Sequence, residues 1–341
     1  MDAPPRFPLF DEPSPLHRLP RLSEALGDRT EIWVKREDLL PLAFGGNKLR
    51  NLEFLIGAAL EARADTLVTS GRRWSNHARL TAAAGARAGL AVHLVLSGPA
   101  ADPPGPGVRL ATAFGAVIHQ LATADRAERD GEVARVVDEL VRDGRRPYVI
   151  DVGGSGLVGA WGQLLAAREA FSQADIAGLT FDRVVLPSAT GGTQAGLIVG
   201  ALERSPGTAI HGIVVARPPV ELRPAIGALV AGLLDLAGLP AVPPDIQLDG
   251  SQLGKGYGRP TASAADAGEL LARTEGLLVD PIYTAKALAA LVTSVRTAAW
   301  AGERVLFWHA GGLPGLFESL DAGSAGRCRT CIGSRPLSLG Q

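Results

Sequence analysis

The sequence lacks the features on which several classes of protein depend. No apolar run among its 341 residues reaches the roughly 18 residues of a membrane-spanning helix, and the first residues do not form a secretory signal. Lys and Arg (34) nearly balance Asp and Glu (35), so the net charge of −1 gives no general attraction for nucleic acid or anionic membranes. We therefore expect a soluble, cytoplasmic protein with neither a nucleic-acid partner nor a membrane partner.

Cysteine is equally scarce. The two cysteines, Cys328 and Cys331, form a single CxxC pair, and neither a second pair nor a neighbouring histidine pair completes a zinc site. No metal site is expected, and residues 323–341 are interpreted as a disordered tail. A redox or metal-binding role for the cysteine pair is the alternative.

Only four lysines occur, although the chain has 34 basic residues. Because arginine is not deprotonated in proteins, chemistry that needs a neutral amine has only these four candidates. Lys48 follows Gly45-Gly46-Asn47 at the point where an irregular segment changes to a helical pattern of leucines. Glycine lets the backbone approach a ligand closely, so Lys48 is a candidate for a functional lysine. From the residues alone, a solvated lysine at the start of a helix is the favoured interpretation.

The hydrophobic pattern predicts an α/β protein. Short apolar strands alternate with helical segments in two successive runs, as in parallel sheets covered by helices. With 46% hydrophobic residues the chain can bury two cores, so we predict two sheet domains with a cleft between them. The predicted strands lie at 32–35, 66–69, 91–96, 116–119, 148–150, 183–187 and 211–215, and the predicted helices at 22–26, 51–62, 78–88, 108–114, 125–143, 158–171 and 194–203.

A glycine-rich loop, SATGGT at 188–193, follows one of these strands. It leads directly into a helix, so successive backbone N–H groups and the helix N-terminus can face one anion. Thr190 and Thr193 can add hydroxyl donors. The loop matches neither the GxGxxG fingerprint nor a P-loop, which disfavours a nucleotide and predicts a phosphate site of another kind. A glycine turn without a ligand is the alternative.

A polar segment at 71–79 separates a predicted strand from a helix. Ser75 and Asn76 provide a hydroxyl and an amide at the N-terminus of that helix, where a carboxylate or a phenolic oxygen could bind. From the residues alone, a simple helix cap is the favoured interpretation. Two of the three tyrosines, Tyr257 and Tyr283, follow later, and composition alone favours half-buried core rings for both.

Six motifs in this order resemble the fold-type-II pyridoxal-phosphate enzymes and, within them, the D-cysteine desulfhydrase and 1-aminocyclopropane-1-carboxylate (ACC) deaminase family. The motifs are FGGNK ending at Lys48, the segment at 71–79, the loop at 188–193, the GYG and DPIYT segments around Tyr257 and Tyr283, and WHAGGLP at 308–314. The resemblance implies pyridoxal 5'-phosphate and the two-domain, open twisted parallel-sheet architecture of tryptophan-synthase-β-like enzymes. It also implies domain bounds, with 1–51 and 157–322 in a large cofactor-binding domain and 52–156 in a small α/β domain.

The resemblance implies roles for individual residues. Lys48 would hold the cofactor covalently and then act as a base near Cα, and Asn76 would bind the cofactor's 3'-oxygen. Ser75 would lie at the substrate carboxylate or transfer a proton, and Thr284 would face the pyridine nitrogen. The implied catalytic set is Lys48, Ser75, Tyr257 and Tyr283; the cofactor set is Lys48, Asn76, Thr190, Gly191, Gly192, Thr193 and Thr284; and the substrate-pocket set is Trp74, Ser75 and His77.

Thr284 bears on the type of reaction. Family members that open the cyclopropane ring of ACC have a glutamate beside the pyridine nitrogen, whereas D-cysteine desulfhydrases have a threonine. A hydroxyl stabilises a pyridinium less well than a carboxylate does, so Thr284 favours early loss of a β-leaving group, which yields pyruvate and ammonia. Several positions depart from the family pattern: Trp74 replaces a residue that is usually glutamine, Arg72 and Arg73 replace apolar residues, and Ala310 replaces a hydroxyl residue.

Four functional hypotheses follow. The preferred one is a pyridoxal-phosphate lyase acting on a small D-amino acid with a β-leaving group, such as D-cysteine. The second is ACC deamination, which Thr284 disfavours. The third is a β-replacement transferase, for which Trp74 and the neighbouring arginines would suit a larger second substrate, and the fourth is a non-catalytic cofactor-binding protein. Relatives are usually homodimers, so a homodimer is expected.

Overall fold

The structure, a computed structural model, describes residues 3–317. The predicted tail at 323–341, with Cys328 and Cys331, lies outside these described residues. The strands are β1 (Leu16–Arg18), β2 (Glu31–Arg36), β3 (Thr66–Arg72), β4 (Ala91–Ser97), β5 (Val117–Leu121), β6 (Pro147–Ile150), β7 (Arg183–Ser188), β8 (Ala209–Val214), β9 (Gln247–Asp249) and β10 (Arg304–His309). The helices are α1 (Pro20–Ala25), α2 (Lys48–Glu61), α3 (Asn76–Ala88), α4 (Pro106–Ala113), α5 (Arg126–Arg142), α6 (Leu157–Ile176), α7 (Gly192–Arg204), α8 (Pro219–Leu236), α9 (Ala262–Glu275) and α10 (Thr284–Arg296).

Two sheets organise the described residues. The larger has the strand order β1-β2-β10-β7-β8-β9, with β1 antiparallel to β2 and the other neighbours parallel. The smaller has the order β5-β4-β3-β6, and its pairs are parallel. Parallel neighbours need crossover connections, which the intervening helices provide. The α/β prediction with parallel sheets is therefore confirmed, whereas the domain bounds at 52 and 156 stay a prediction.

Helices cover both faces of each sheet. Along β10, Leu306 and Trp308 pack into a core with α6, α7 and α8, whereas Val305 and Phe307 face a second core with α1, α9 and α10. This alternation follows from the two-residue period of a strand. The small sheet packs against α2 and α3 on one side and α5 on the other. Within the described part of the chain, no helix has the length and apolarity needed to cross a membrane.

Several helix boundaries differ from the predicted ones. Helix α3 begins at Asn76, before the predicted start at 78, because the Ser75 hydroxyl oxygen accepts the Ala78 N–H at 3.2 Å and caps the helix. Helix α7 likewise begins at Gly192, within the glycine loop. Helix α8 was not predicted from the sequence, because Pro224 inside the helix interrupts its pattern. Helices α9 and α10, which flank the tyrosine motifs, were not predicted either.

A buried network of charged groups joins the N-terminal segment, α2 and α6. Arg50 donates to Glu37 (Nη2 to Oε1, 2.8 Å; Nε to Oε2, 3.0 Å) and to Glu169 (Nη1 to Oε2, 2.6 Å). Lys35 donates to Glu169 Oε1 and to the Ser14 carbonyl, both at 2.6 Å. Because these cations and carboxylates are mostly removed from water, each depends on its partners for stabilisation.

Glu37→Gln tests this network. The substitution removes the carboxylate charge that faces Arg50 and leaves the buried guanidinium incompletely paired. We expect the free energy of unfolding, measured by urea denaturation, to fall by about 3 kcal/mol. The matched control is Glu139→Gln, which removes one partner of the exposed Arg135–Glu139 pair and should leave the free energy of unfolding nearly unchanged. Equal stability of the two variants would contradict a structural role for the network.

Candidate active site

A cavity of about 520 Å³ lies where the two sheets approach each other. Its walls come from the segments that follow β3, β6, β7, β8 and β10, which are the carboxyl ends of parallel strands. In open α/β sheets this end is where ligands bind, because loops from several strands converge there. The cavity therefore brings segments far apart in sequence around one space.

Lys48 is the first residue of α2 and lines this cavity. The loop before it is tightly folded: Gly45 has a φ of 62°, and a Cβ at that position would lie 2.2 Å from the carbonyl oxygen of Asp38. The Asn47 side chain donates from Nδ2 to the Thr193 hydroxyl at 2.9 Å, which ties the lysine loop to the glycine loop. These contacts hold the base of the lysine side chain in place.

Among the four lysines of the chain, Lys48 is the one that lines the cavity formed by the described residues. Lys35 and Lys286 are buried and bonded to other groups, and Lys255 is exposed outside the wall. Burial lowers the pKa of Lys48 to about 8, because the charged ammonium loses hydration. A substantial fraction of neutral amine is therefore present near neutral pH.

The glycine loop presents an anion site to the same cavity. Helix α7 begins at Gly192 with Gly191 as its N-cap, and no side chain caps it, so the N–H groups of the first turn lack an intrahelical or side-chain acceptor. The Thr190 hydroxyl contacts the Ser155 hydroxyl, which comes from the opposite segment after β6. Ser188 Oγ lies in the same wall and is buried without a hydrogen-bond partner in the described structure. Donors and a helix dipole thus converge on one point, as a phosphate requires.

The N-terminus of α3 also faces the cavity. Ser75 caps the helix with a lone pair of its oxygen, so its O–H can still donate to a ligand. Asn76 lines the cavity beside it, at a helix end that favours negative charge. Ser75 can therefore cap α3 and still bind a ligand in the cavity.

His77 is buried in the next position. Thr69 donates its hydroxyl to the Ile150 carbonyl at 2.8 Å, so the contact of 3.0 Å between Thr69 Oγ1 and His77 Nε2 assigns the ring proton to Nε2. Burial lowers the pKa of His77 to about 3, and the nearby charge of Lys48 adds to the effect. The imidazole is neutral at physiological pH, with Nδ1 as an acceptor.

Two tyrosine hydroxyls meet at another part of the wall. Tyr257 and Tyr283 are hydrogen-bonded through their hydroxyl groups. Burial raises the pKa of Tyr257, so its hydroxyl stays protonated. The Trp74 ring packs against Tyr257 with centroids 6.1 Å apart, and a Cβ at Gly258 would lie 2.3 Å from that indole. Trp74 therefore supports Tyr257 from outside the cavity instead of lining it.

Thr284 is fully buried at the start of α10 and lines the cavity. Its hydroxyl donates to the Gly311 carbonyl at 3.0 Å, and its N–H donates to Asp280 Oδ2 at 3.0 Å. Because the hydroxyl proton of Thr284 is used in the bond to Gly311, its oxygen can accept a hydrogen bond from a ligand, and the side chain carries no charge.

The structure brings most of the predicted site residues together. The predicted residues that line the cavity are Lys48, Ser75, Asn76, His77, Thr190, Gly191, Thr193, Tyr257, Tyr283 and Thr284. Gly192 lies directly behind this wall, and Trp74 lies behind Tyr257. Of the two arginines that depart from the family pattern, Arg72 lines the cavity and Arg73 does not.

Other residues of the wall were not predicted from the sequence. Ser155, which follows Gly153 and Gly154, is one of them. Arg126 and Arg129 belong to a charged helix, and Arg217 follows a strand with no motif around it. No local pattern distinguishes these arginines from solvated ones, so only the folded structure identifies them.

Comparison with known proteins agrees with this geometry. A family model described as pyridoxal-phosphate dependent enzyme matches residues 8–311. The D-cysteine desulfhydrases of Salmonella typhi and Salmonella choleraesuis (strain SC-B67) are each 39% identical to the chain over 319 residues, which cover 92% of this chain and 95% of the relative.

Solved structures show the same architecture. A crystal structure of an ACC deaminase homologue has a TM-score of 0.84 at 33% identity and covers 94% of this chain and 95% of its own. Threonine deaminase isoform 2 from Solanum lycopersicum has a TM-score of 0.62 at 17% identity, covers 92% of this chain and 84% of its own, and shares the fold.

The cavity fits pyridoxal 5'-phosphate, the cofactor of this family. Lys48 provides an amine with a lowered pKa, the uncapped end of α7 provides phosphate donors, and the buried Ser188 hydroxyl is a polar atom that still needs a partner. The predicted cofactor and the predicted fold type II are both confirmed. The chain belongs to the pyridoxal-phosphate-dependent enzyme family.

Proposed function

We propose that the protein is a lyase that removes a β-substituent from a small amino acid, with D-cysteine as the first candidate substrate. The products would be pyruvate, ammonia and the leaving group, which is sulfide for D-cysteine. The observation that carries the proposal is the presence of a base and an acid in one cavity: Lys48 has a lowered pKa, and Tyr257 has a raised one. β-Elimination needs both, because a proton leaves Cα and the leaving group at Cβ takes one up.

Lys48 is the proposed base. When bound, pyridoxal phosphate withdraws electrons from the amino acid and so acidifies the Cα–H bond. The Lys48 amine can accept that proton because burial favours its neutral form. Its position at the start of α2 directs it into the cavity.

The pair of Tyr257 and Tyr283 is the proposed acid. A phenol with a raised pKa remains protonated at neutral pH and can donate to a leaving group. The second hydroxyl can return a proton to the first through their hydrogen bond. Trp74 packs against Tyr257 and helps to hold that ring at the cavity wall.

The remaining predicted residues are proposed to bind and orient. The Ser75 O–H and the N-terminus of α3 suit the substrate carboxylate, and Asn76 suits the 3'-oxygen of the cofactor. Thr284 is proposed to face the pyridine nitrogen. Because it carries no charge, it leaves that nitrogen less basic than a glutamate would.

ACC deamination is the second candidate. The similarity to an ACC deaminase homologue at 33% identity supports it. The uncharged Thr284 counts against it, because ring opening would need stronger stabilisation of negative charge on the cofactor. The products separate the two reactions, since D-cysteine yields pyruvate and ACC yields 2-oxobutyrate.

Two broader parts of the proposal rest on the sequence and on the family resemblance. We propose that the protein forms a homodimer and that it acts in the cytoplasm on a free amino acid. Light scattering of the purified protein would measure the molar mass and would contradict the first part if it equalled that of a single 35.3 kDa chain.

Lys48→Ala tests the proposed base. We expect loss of the visible absorbance band of lysine-bound pyridoxal phosphate and a fall in pyruvate release of at least about a hundredfold, because no other lysine lines the cavity defined by residues 3–317. Lys255→Ala, at an exposed lysine outside the cavity, is the matched control and should keep both. A persistent band in Lys48→Ala would show that another amine holds the cofactor.

The lowered pKa of Lys48 predicts how cofactor capture depends on pH. Only the neutral amine can attack the aldehyde, so apoprotein mixed with pyridoxal phosphate should develop the visible band faster as pH rises, with a midpoint near 8. Stopped-flow absorbance would measure these rates. A midpoint near the ordinary lysine value of 10.5 would mean that the amine is not desolvated.

Thr284→Glu tests the argument from the pyridine nitrogen. A carboxylate beside the ring should raise the nitrogen's pKa by about 1–3 units and lower pyruvate release from D-cysteine by at least about tenfold. Thr284→Ser keeps the hydroxyl and serves as the control. The visible band and the melting temperature would verify that both variants fold and bind the cofactor. Undiminished elimination by Thr284→Glu would refute the argument.

A further inference from the structure

The cavity has an unusual content of arginine. Arg72, Arg126, Arg129 and Arg217 all line it, whereas Asp151 is its one carboxylate among the described residues. An unbranched neutral amino acid such as D-cysteine has no group that would engage so many cations. The proposed reaction therefore leaves these arginines unexplained.

The four arginines differ in their partners. Arg129 pairs with Asp130 at 2.9 Å, so its charge is balanced. The Arg72 guanidinium lies 5.9 Å from the centre of the Trp74 ring. Within residues 3–317, no carboxylate lies within ion-pairing distance of Arg72, Arg126 or Arg217. Arg72 has a ring contact, whereas Arg126 and Arg217 have neither an ion pair nor a ring contact.

Arg126 and Arg217 reach the cavity from opposite sides. Arg126 is the first residue of α5, which covers the small sheet, and Arg217 follows β8 of the large sheet. Burial lowers the pKa of Arg217, the charge of Arg126 adds to this effect, and Glu221 opposes it. Two guanidinium groups that repel each other across one space create a favourable place for an anion between them.

Two anions could lie there: the phosphate of the cofactor, or an anionic group of the substrate. The phosphate already has the uncapped N-terminus of α7 and the hydroxyls of Thr190 and Ser155. Arg126 is carried by α5 over the small sheet and belongs neither to that loop nor to α7. An amino acid bound with its carboxylate at Ser75 would extend its β-substituent into the remaining space between the two sheets.

We propose that Arg126 and Arg217 bind an anionic group on the β-substituent of the amino-acid substrate, such as a carboxylate, sulfate or phosphate. This inference rests on the proposed β-elimination and narrows its substrate class. O-Phosphoserine illustrates the balance: a Cα–H bond breaks with its proton passing to Lys48, and the Cβ–O bond breaks with its electron pair leaving on phosphate. Addition of one water then gives pyruvate, ammonium and phosphate, with no change in overall oxidation state.

The test is a spectral titration of the holoenzyme with both enantiomers of O-phosphoserine and of β-chloroalanine, whose β-substituent is neutral. The dissociation constants are obtained by stopped-flow absorbance, from how the first shift of the visible band, before pyruvate accumulates, depends on the amino-acid concentration. In the wild type we expect the phosphorylated amino acid to bind at least about tenfold more tightly than the neutral one, with the advantage declining as salt increases.

The variants assign this preference to the two arginines. Arg217→Ala, at a partly buried site, should lower the ratio of the two dissociation constants by about tenfold, and Arg126→Ala, at an exposed site, by a few-fold. Arg126→Lys should retain most of the preference because it keeps the charge. Arg142→Ala, at an exposed arginine at the far end of the same helix, is the matched control and should leave the ratio unchanged.

Two results would overturn the inference. One is equal binding of phosphorylated and neutral amino acids by the wild type. The other is an unchanged ratio in Arg217→Ala together with weaker binding of pyridoxal phosphate to its apoprotein, which would assign this arginine to the cofactor phosphate. Pyruvate is assayed in parallel, so that the proposed lyase activity is tested separately from the substrate class. Release of pyruvate from β-chloroalanine, together with no preference for binding O-phosphoserine, would support the lyase activity and contradict the proposal of an anionic substrate.

Discussion

The geometry of the active site depends on the hydrogen bonds of Asn47. Its N–H donates to the Ala310 carbonyl at 3.0 Å, its side chain donates to the Thr193 hydroxyl at 2.9 Å, and its carbonyl accepts from Gln163 Nε2 at 2.7 Å. These partners come from the end of β10, from α7 and from α6. One residue therefore joins the lysine loop to the phosphate loop and to the strand beside the pocket, and Lys48 is the next residue along the chain.

Desolvation sets the acid–base character of the cavity. The same loss of hydration lowers the pKa of Lys48 and His77 and raises that of Tyr257, because it disfavours whichever form is charged. A neutral amine, a neutral imidazole and a protonated phenol result at one pH. The fold thus supplies a base and an acid without a carboxylate in either role.

The arginines of the cavity are brought together by the packing of separate elements. They come from α5, from the end of β3 and from the segment after β8, and they face one another only because the two sheets are placed side by side. Long guanidinium side chains can reach a ligand from such separate elements, whereas the short side chains of Ser75 and Thr190 must be carried by loops at the cavity itself. The hydroxyls of Ser75 and Thr190 are therefore held close to the backbone at the cavity, whereas the arginines reach it on longer side chains from separate elements.

Whether a site residue could be predicted from the sequence depends on whether it lies in a short motif formed by its neighbours in the chain. Lys48 and the loop at 188–193 could be picked out as candidates, because each belongs to a glycine-containing motif that leads into a helix. For Ser75 and Asn76 the residues alone favoured a helix cap, and only the family resemblance made them site candidates. Ser155, Arg126 and Arg217 were not candidates, because nothing next to them in sequence distinguishes a cavity residue from a solvated one.

The sequence by itself determined the parallel α/β class and the positions of Lys48 and the loop at 188–193 at strand-to-helix junctions, since hydrophobic period and glycine placement act over a few residues. Only the tertiary structure decided that Trp74 lies behind Tyr257, where Gly258 leaves room for the indole, and that two unpaired arginines face one cavity. Those arrangements depend on how distant elements pack and lose water together, and no local pattern in the chain encodes that packing.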